Sequence, residues 1–215
     1  MATAKGGYYL KDGVTRVPSV TTIIGRFKEA GGLMHWAWQC GKDGKDYREE
    51  RDSAANAGTM AHEAVEAWIR GKAFTFAGPQ PIVERAQKSF GAFLEWADQT
   101  KLRVTHTEMP LVSEKHRFGG TFDAILLGNR RAMGDWKSSA KCYPEYLVQV
   151  AAYGKLWEEV HPGEPITGGF HLLRFDKNFG DFHHHWWGEL DRAWDAFVHL
   201  RALYDIEKDL KARAS

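Results

Sequence analysis

Near residue 101 the apolar residues stop recurring at helical spacing and begin to run in strands, and this change of period constrains the fold more than any other feature. From Pro81 to Thr100, residues Ile82, Ala86, Phe90, Phe93, Leu94 and Ala97 form one apolar stripe of an amphipathic helix. Beyond it, Leu102–Val112, Phe118–Leu127 and Arg131–Asp135 are strand-length runs separated by polar turns at Glu114–Arg117 and Gly128–Arg130. They predict a three-stranded antiparallel meander, with Lys137 at or just beyond its third strand. The stretch Pro144 to Val160 reads as helix, with Pro144 suited to the first turn and His161-Pro162-Gly163 as the stop. Two more strands, Gly169–Phe175 and Asp181–Trp187, joined through Asp176–Gly180, precede a last helix from about Glu189 to Leu210. This order predicts an α/β or α+β core, a central mixed sheet of about five strands flanked by helices.

The first hundred residues read as mainly helical. A strand pair is expected around Tyr8-Tyr9-Leu10 and Thr15-Arg16-Val17, then a short apolar helix with Ser19 as N-cap, then a helix from about Leu33 to Gln39. From Asp43 to Arg70 helix formers dominate, and Gly71 suits the position after the helix end. Gly58-Thr59 either breaks this helix or lies inside it. With no repeat, low-complexity tract or linker in sight, residues 1–215 read as one domain, with a helical portion over 1–100 and the sheet core over 101–215.

Composition closes several functional classes. With 29 basic and 28 acidic residues no global field draws the chain to nucleic acid or membrane, so a nucleic-acid site has to be a local patch. Two cysteines, Cys40 and Cys142, argue against a disulfide framework, a four-cysteine zinc site or an iron–sulfur cluster, and suit a reducing cytoplasm. The first residues do not read as a secretion signal, and no apolar run approaches the roughly 18 residues of a membrane span.

Asp-x-Lys occurs three times, at Asp43, Asp135 and Asp209, and is uninformative by itself. Only Asp135-Trp136-Lys137 follows an apolar strand and neighbours another acid. That acid, Asp123 in "FGGTFDAILL", sits in an otherwise apolar strand, where an unpaired carboxylate carries a large desolvation cost. A tight turn makes the two strands neighbours, so both carboxylates can converge as a hard-oxygen site suited to Mg²⁺ or Mn²⁺. By strand alternation Lys137 projects to the same face as Asp135, within reach of a phosphate. On helices, His62 and Glu66 stand at i and i+4, as do Gln149 and Tyr153.

In the order "PSVT", "GTMAHEAVE", "GGTFD", "DWK" and "QVAAY", the chain resembles the RecB-like exonuclease branch of the PD-(D/E)XK nuclease superfamily. Phage exonucleases and the mitochondrial genome maintenance exonuclease belong to that branch. The resemblance implies a restriction-endonuclease-like core. It implies His62, Asp123 and Asp135 as metal ligands, the Trp136 carbonyl as an extra one, and Lys137 as the catalytic lysine. Gln149 and Tyr153 then line the active site and DNA path, and Glu66 stands behind the ligands. The wider superfamily's Pro-Asp is Phe122-Asp123 here, within the branch's Gly-x-x-Asp.

Other features have plainer readings. Ser19, Thr21 and Thr22 cap a helix, and the resemblance adds DNA contact by Ser19 and Thr21. His183-His184-His185 alternate across a strand and read as structural or surface residues. Trp36, Trp38 and Phe27 could stack bases but read as packing residues, and Arg16, Arg26, Lys115, Arg117, Lys141 and Arg174 are candidates for a phosphate-binding patch.

The expected activity is Mg²⁺- or Mn²⁺-dependent deoxyribonuclease action, exonucleolytic, on single-stranded DNA or DNA ends, in a bacterial or phage-infected cytoplasm. A structure-selective endonuclease or recombination nuclease is the enzymatic alternative. A catalytically inactive DNA-binding module of the same fold is the alternative from another class.

Overall fold

The computed structural model describes residues 7–27, 31–101, 103–139, 141–175 and 182–214. A small hairpin, β1 (Tyr8–Tyr9) and β2 (Arg16–Val17), leads into α1 (Val20–Arg26), whose N-cap Ser19 accepts from the Thr22 N–H at 3.0 Å. Helices α2 (Gly31–Lys42), α3 (Tyr47–Ile69) and α4 (Gln80–Thr100) follow. The sheet comprises β3 (Arg103–Ser113), β4 (Phe118–Leu127), β5 (Arg131–Ser138), β6 (Phe170–Phe175) and β7 (Phe182–Trp187). Helix α5 (Pro144–Val160) connects β5 to β6, and α6 (Asp191–Ala214) follows β7.

The strands lie in sequence order, antiparallel except that β5 and β6 run parallel. That one parallel step needs a crossover, and α5 supplies it. One face of the sheet packs Phe118, Phe122, Ile125, Met133 and Leu172 against α1, α5 and α6. The other packs Ala124, Leu126, Ala132, Trp136 and Leu173 against α3 and α4. This is the helix-flanked, five-stranded mixed sheet expected of a restriction-endonuclease-like core.

Several boundaries differ from expectation. Helix α3 runs unbroken through Gly58, and since a Cβ there would stand 3.1 Å from the Ser138 Cβ, the glycine lets the helix lie against the end of β5. Strand β5 runs on to Ser138, held past Asp135 by pairs with β6, so Lys137 lies inside it rather than beyond it. Helix α2 is longer than Leu33–Gln39, and α6 continues to Ala214 on charged residues that need no core. On α4 the buried stripe includes Trp96, which packs edge-on to Trp136, while Leu94 and Ala97 are only partly buried. The expected Asp176–Gly180 connection lies outside the described residues, as does Leu102.

Candidate active site

Strands β4 and β5 pair from Leu127↔Arg131 to Ala124↔Gly134, and then they part. The first residues past the last pair are Asp123 on one branch and Asp135 on the other. In the fork, the Trp136 N–H finds no β4 carbonyl and donates instead to Asp123 Oδ2 at 2.7 Å. On β5, Met133, Asp135 and Lys137 face α5, while Ala132 and Trp136 face α3 and α4. Lys137 therefore follows Asp135 onto one face, and its Nζ lies 2.7 Å from Asp135 Oδ2.

Asp135 has 0% exposure. Although Lys137 ion-pairs with Oδ2 by distance, the angle is not that of a hydrogen bond, and Oδ1 has no donor among the described residues. Burial pushes the Asp135 carboxyl up to about 7; Lys137 opposes this and the neighbouring Asp123 reinforces it. Asp123 is likewise raised by burial, against the pull of Lys137 and the Trp136 N–H. For Lys137, burial disfavours the charge, but Asp135 and Asp123 outweigh it and hold the ammonium above its ordinary range.

Helix α3 brings His62 to the same place. Its ring lies beside the Trp136 backbone, close enough to Lys137 and Asp135 to feel both charges. Burial and then Lys137 lower the His62 pKa, favouring the neutral ring that can act as a ligand. Glu66, one turn on, pairs with Arg70.

Helix α5 forms the other wall. Gln149 Nε2 donates to the Tyr153 hydroxyl at 2.9 Å, and the Tyr153 ring is buried, its ionisation suppressed by burial and then by Asp135. Gly120 makes that position possible, since a Cβ there would stand 2.6 Å from Tyr153 Cε1. Gly119 plays the same part for Tyr8, whose hydroxyl lies 2.9 Å from Thr121 Oγ1. A Ser19 to Gly119 bridge ties the N-terminal segment to this end of β4. Ser19 is occupied as the α1 cap, with Thr21 and Thr22 hydroxyls at 3.0 and 2.7 Å.

One acid went unread in the sequence. Glu108 lies in β3 with φ +48°, and the β3–β4 ladder runs from Thr107↔Ala124 to Met109↔Phe122, leaving Glu108 facing Asp123. Burial, then Asp123 and Glu66, raise its carboxyl to about 7. The signal in the sequence was only an acid inside a strand, "HTEMP", weaker than that of Asp123 because polar residues precede it.

Among the described residues no three His, Cys, Asp or Glu side chains form a ready-made metal cage. The donors nonetheless fit a hard divalent cation. Two facing carboxyls repel one another, the buried Asp135 Oδ1 has no donor, and Mg²⁺ commonly takes one or two carboxylates and completes its shell with water.

The remaining candidates separate clearly. His184 stands 2.9 Å from His171, ring to ring, and packs on Trp96, whereas His183 and His185 stack with one another on the opposite face. Arg174 is a correction: it is buried and donates to the Ser139 carbonyl at 2.8 Å, which removes it from any surface patch. Arg26 is engaged by Glu207 on α6. Trp38 is 57% exposed with Lys42 over its ring, while Trp36 is partly buried.

No family model matches the chain, and no curated protein does. Among solved structures, a candidate exonuclease from Eubacterium rectale is similar at 13% identity and TM-score 0.49 over 68% of this chain, which spans 64% of that protein's length. The alkaline exonuclease LHK-Exo of Laribacter hongkongensis is similar at 15% identity and TM-score 0.34, over 73% of this chain and 85% of that one. Its complex with dAMP gives 14% identity and TM-score 0.35. No helix among the described residues is long and apolar enough to cross a membrane.

Proposed function

We propose that the fork between β4 and β5 is the centre of a metal-dependent deoxyribonuclease, with exonucleolytic action on single-stranded DNA or DNA ends. The observation that supports this best is the triad of Asp123, Asp135 and Lys137, two converging carboxyls with an ammonium 2.7 Å from one of them. An idle scaffold gains nothing from burying that much charge.

Asp123 and Asp135 would hold Mg²⁺ or Mn²⁺, with His62 and the Trp136 carbonyl at the edge of the site. Bound there, such a cation would supply Lewis-acid polarisation of the phosphodiester and lower the pKa of a water. Asp123 keeps β5 in place through the Trp136 N–H. Lys137, already charged, orients the attacking water and offsets the negative charge that builds on the phosphorane-like transition state. Gln149 and Tyr153 form the wall against which the DNA backbone is aligned, with Ser19 and Thr21 as flanking phosphate donors and Glu66 as a second-rank support.

The test is cleavage of end-labelled linear single-stranded DNA against a covalently closed circle, with Mg²⁺ and with Mn²⁺. Cutting of the linear substrate alone supports an exonuclease; cutting of the circle transfers the reading to an endonuclease. Retention of DNA without cleavage in either metal leaves a binding module.

A further inference from the structure

A string of alternating cations and rings leads outward from the fork. Lys137 Nζ lies 2.7 Å from Asp135 on one side and 5.4 Å from the centre of the Tyr146 ring on the other. Tyr146 meets Tyr143 edge-on, with ring centres 5.5 Å apart. Over Tyr143 stands Lys141 Nζ at 5.2 Å, on an exposed residue. The string thus runs without a gap from a buried carboxyl to solvent. Tyr146 also continues the α5 stripe of Gln149 and Tyr153, one turn nearer the helix start.

Each ring is met by an ammonium at cation–π distance, a contact worth little at a partly exposed site. A phosphodiester offers a lysine a full negative charge, and a nucleobase offers a tyrosine a flat partner. A nucleotide unit can therefore take over both sets of contacts together: phosphate to lysine, base to ring. A base can lie on a ring only if it is unpaired and splayed from its strand.

We infer that Lys141, Tyr143 and Tyr146 form a subsite for the unpaired nucleotide next to the scissile phosphate, selecting a single-stranded end over a duplex. Lys141 takes the flanking phosphate, and the tyrosine pair takes its base. This rests on the nuclease reading of the fork, and the experiment separates the two.

Binding is measured with a single-stranded oligonucleotide carrying 2-aminopurine at its terminal position and with the same sequence as a blunt duplex. The host protein is the Asp135→Asn variant with Mg²⁺, so that cleavage does not intrude. Stacking quenches the probe in the single strand and not in the duplex. Tyr143→Leu with Tyr146→Leu abolishes the quench and weakens single-strand binding about tenfold, whereas Phe at both positions retains it. Lys141→Ala keeps the quench but lowers the slope of log affinity against log salt by roughly one phosphate contact. A quench unchanged by the Leu pair, or equal binding of strand and duplex, overturns the subsite. If the wild type fails to cleave DNA in Mg²⁺ or Mn²⁺, the nuclease reading fails, and the quench still reports on the rings.

Discussion

The Trp136 N–H donates to Asp123 Oδ2 at 2.7 Å, so a side chain on β4 replaces the backbone acceptor that β5 loses where the strands part. On the proposed reading Asp123 carries two duties, a structural one at Oδ2 and a chemical one facing Asp135. The two separate by substitution. Asp123→Asn retains an acceptor and folds, yet cleavage falls by a factor of about 100 or more. Asp123→Ala also loses the acceptor and is destabilised by about 1–3 kcal/mol, read by urea denaturation.

Removing Lys137 leaves the buried Asp135 without its cation. Lys137→Met in the metal-free protein is destabilised by about 3 kcal/mol near pH 8, where Asp135 is ionised, and by less near pH 5, where it is protonated. The same variant loses DNA cleavage at every metal concentration.

The pH dependence of stability follows from the raised carboxyls. Asp135 moves from 3.8 to about 7 and Glu108 from 4.5 to about 7 on folding, so the unfolded chain releases these protons first as pH rises. The metal-free protein accordingly loses stability from about pH 4 to about pH 7, by several kcal/mol. His62, lowered on folding, works the other way, adding stability above its unfolded value of 6.5 that is lost as pH falls; one group does not cancel two. Thermal denaturation gives a lower Tm near pH 8 than near pH 5, and Mg²⁺ raises the Tm more at the higher pH.

Glu108 faces Asp123 and Glu66 across β3 and α3. Glu108→Gln removes a like charge from this group and stabilises the metal-free protein by about 1 kcal/mol near pH 8, with little effect near pH 5. Denaturation at the two pH values reads the difference directly.

Gly120 leaves room for Tyr153, and a Cβ at 2.6 Å from the ring can be accommodated only by moving it. Gly120→Ala costs about 2 kcal/mol and loosens the Gln149–Tyr153 pair, so single-strand cleavage falls although no charged residue has changed. Tyr153→Phe, which removes only the hydroxyl, separates the hydrogen bond from the ring.

The meander of β3, β4 and β5 was legible because polar turns separate its strands. The turns at Glu114–Arg117 and Gly128–Arg130 set the meander, and Pro144 set the start of α5. The end of β5 was not legible, since Lys137 and Ser138 are strand residues only through their pairs with Arg174 and Phe175 of β6, far along the chain. For Gly58 the deciding neighbour is Ser138, more remote still in sequence. Asp123, Asp135 and Lys137 stood out as charges in apolar runs. Glu108 did not, because the residues before it in β3, Thr105, His106 and Thr107, are polar and its place beside Asp123 depends on a positive φ. Arg174 looked like surface charge because nothing local says that the Ser139 carbonyl waits beside it.

The fork is tested most directly by release of nucleotides from end-labelled single-stranded DNA by the wild type, Asp135→Asn and Lys137→Ala across a Mg²⁺ and Mn²⁺ titration. The fork account predicts metal-dependent release by the wild type, loss by a factor of about 100 or more in both variants, and folded variants by circular dichroism. Equal release by all three proteins, or release unaffected by a chelator, would contradict it.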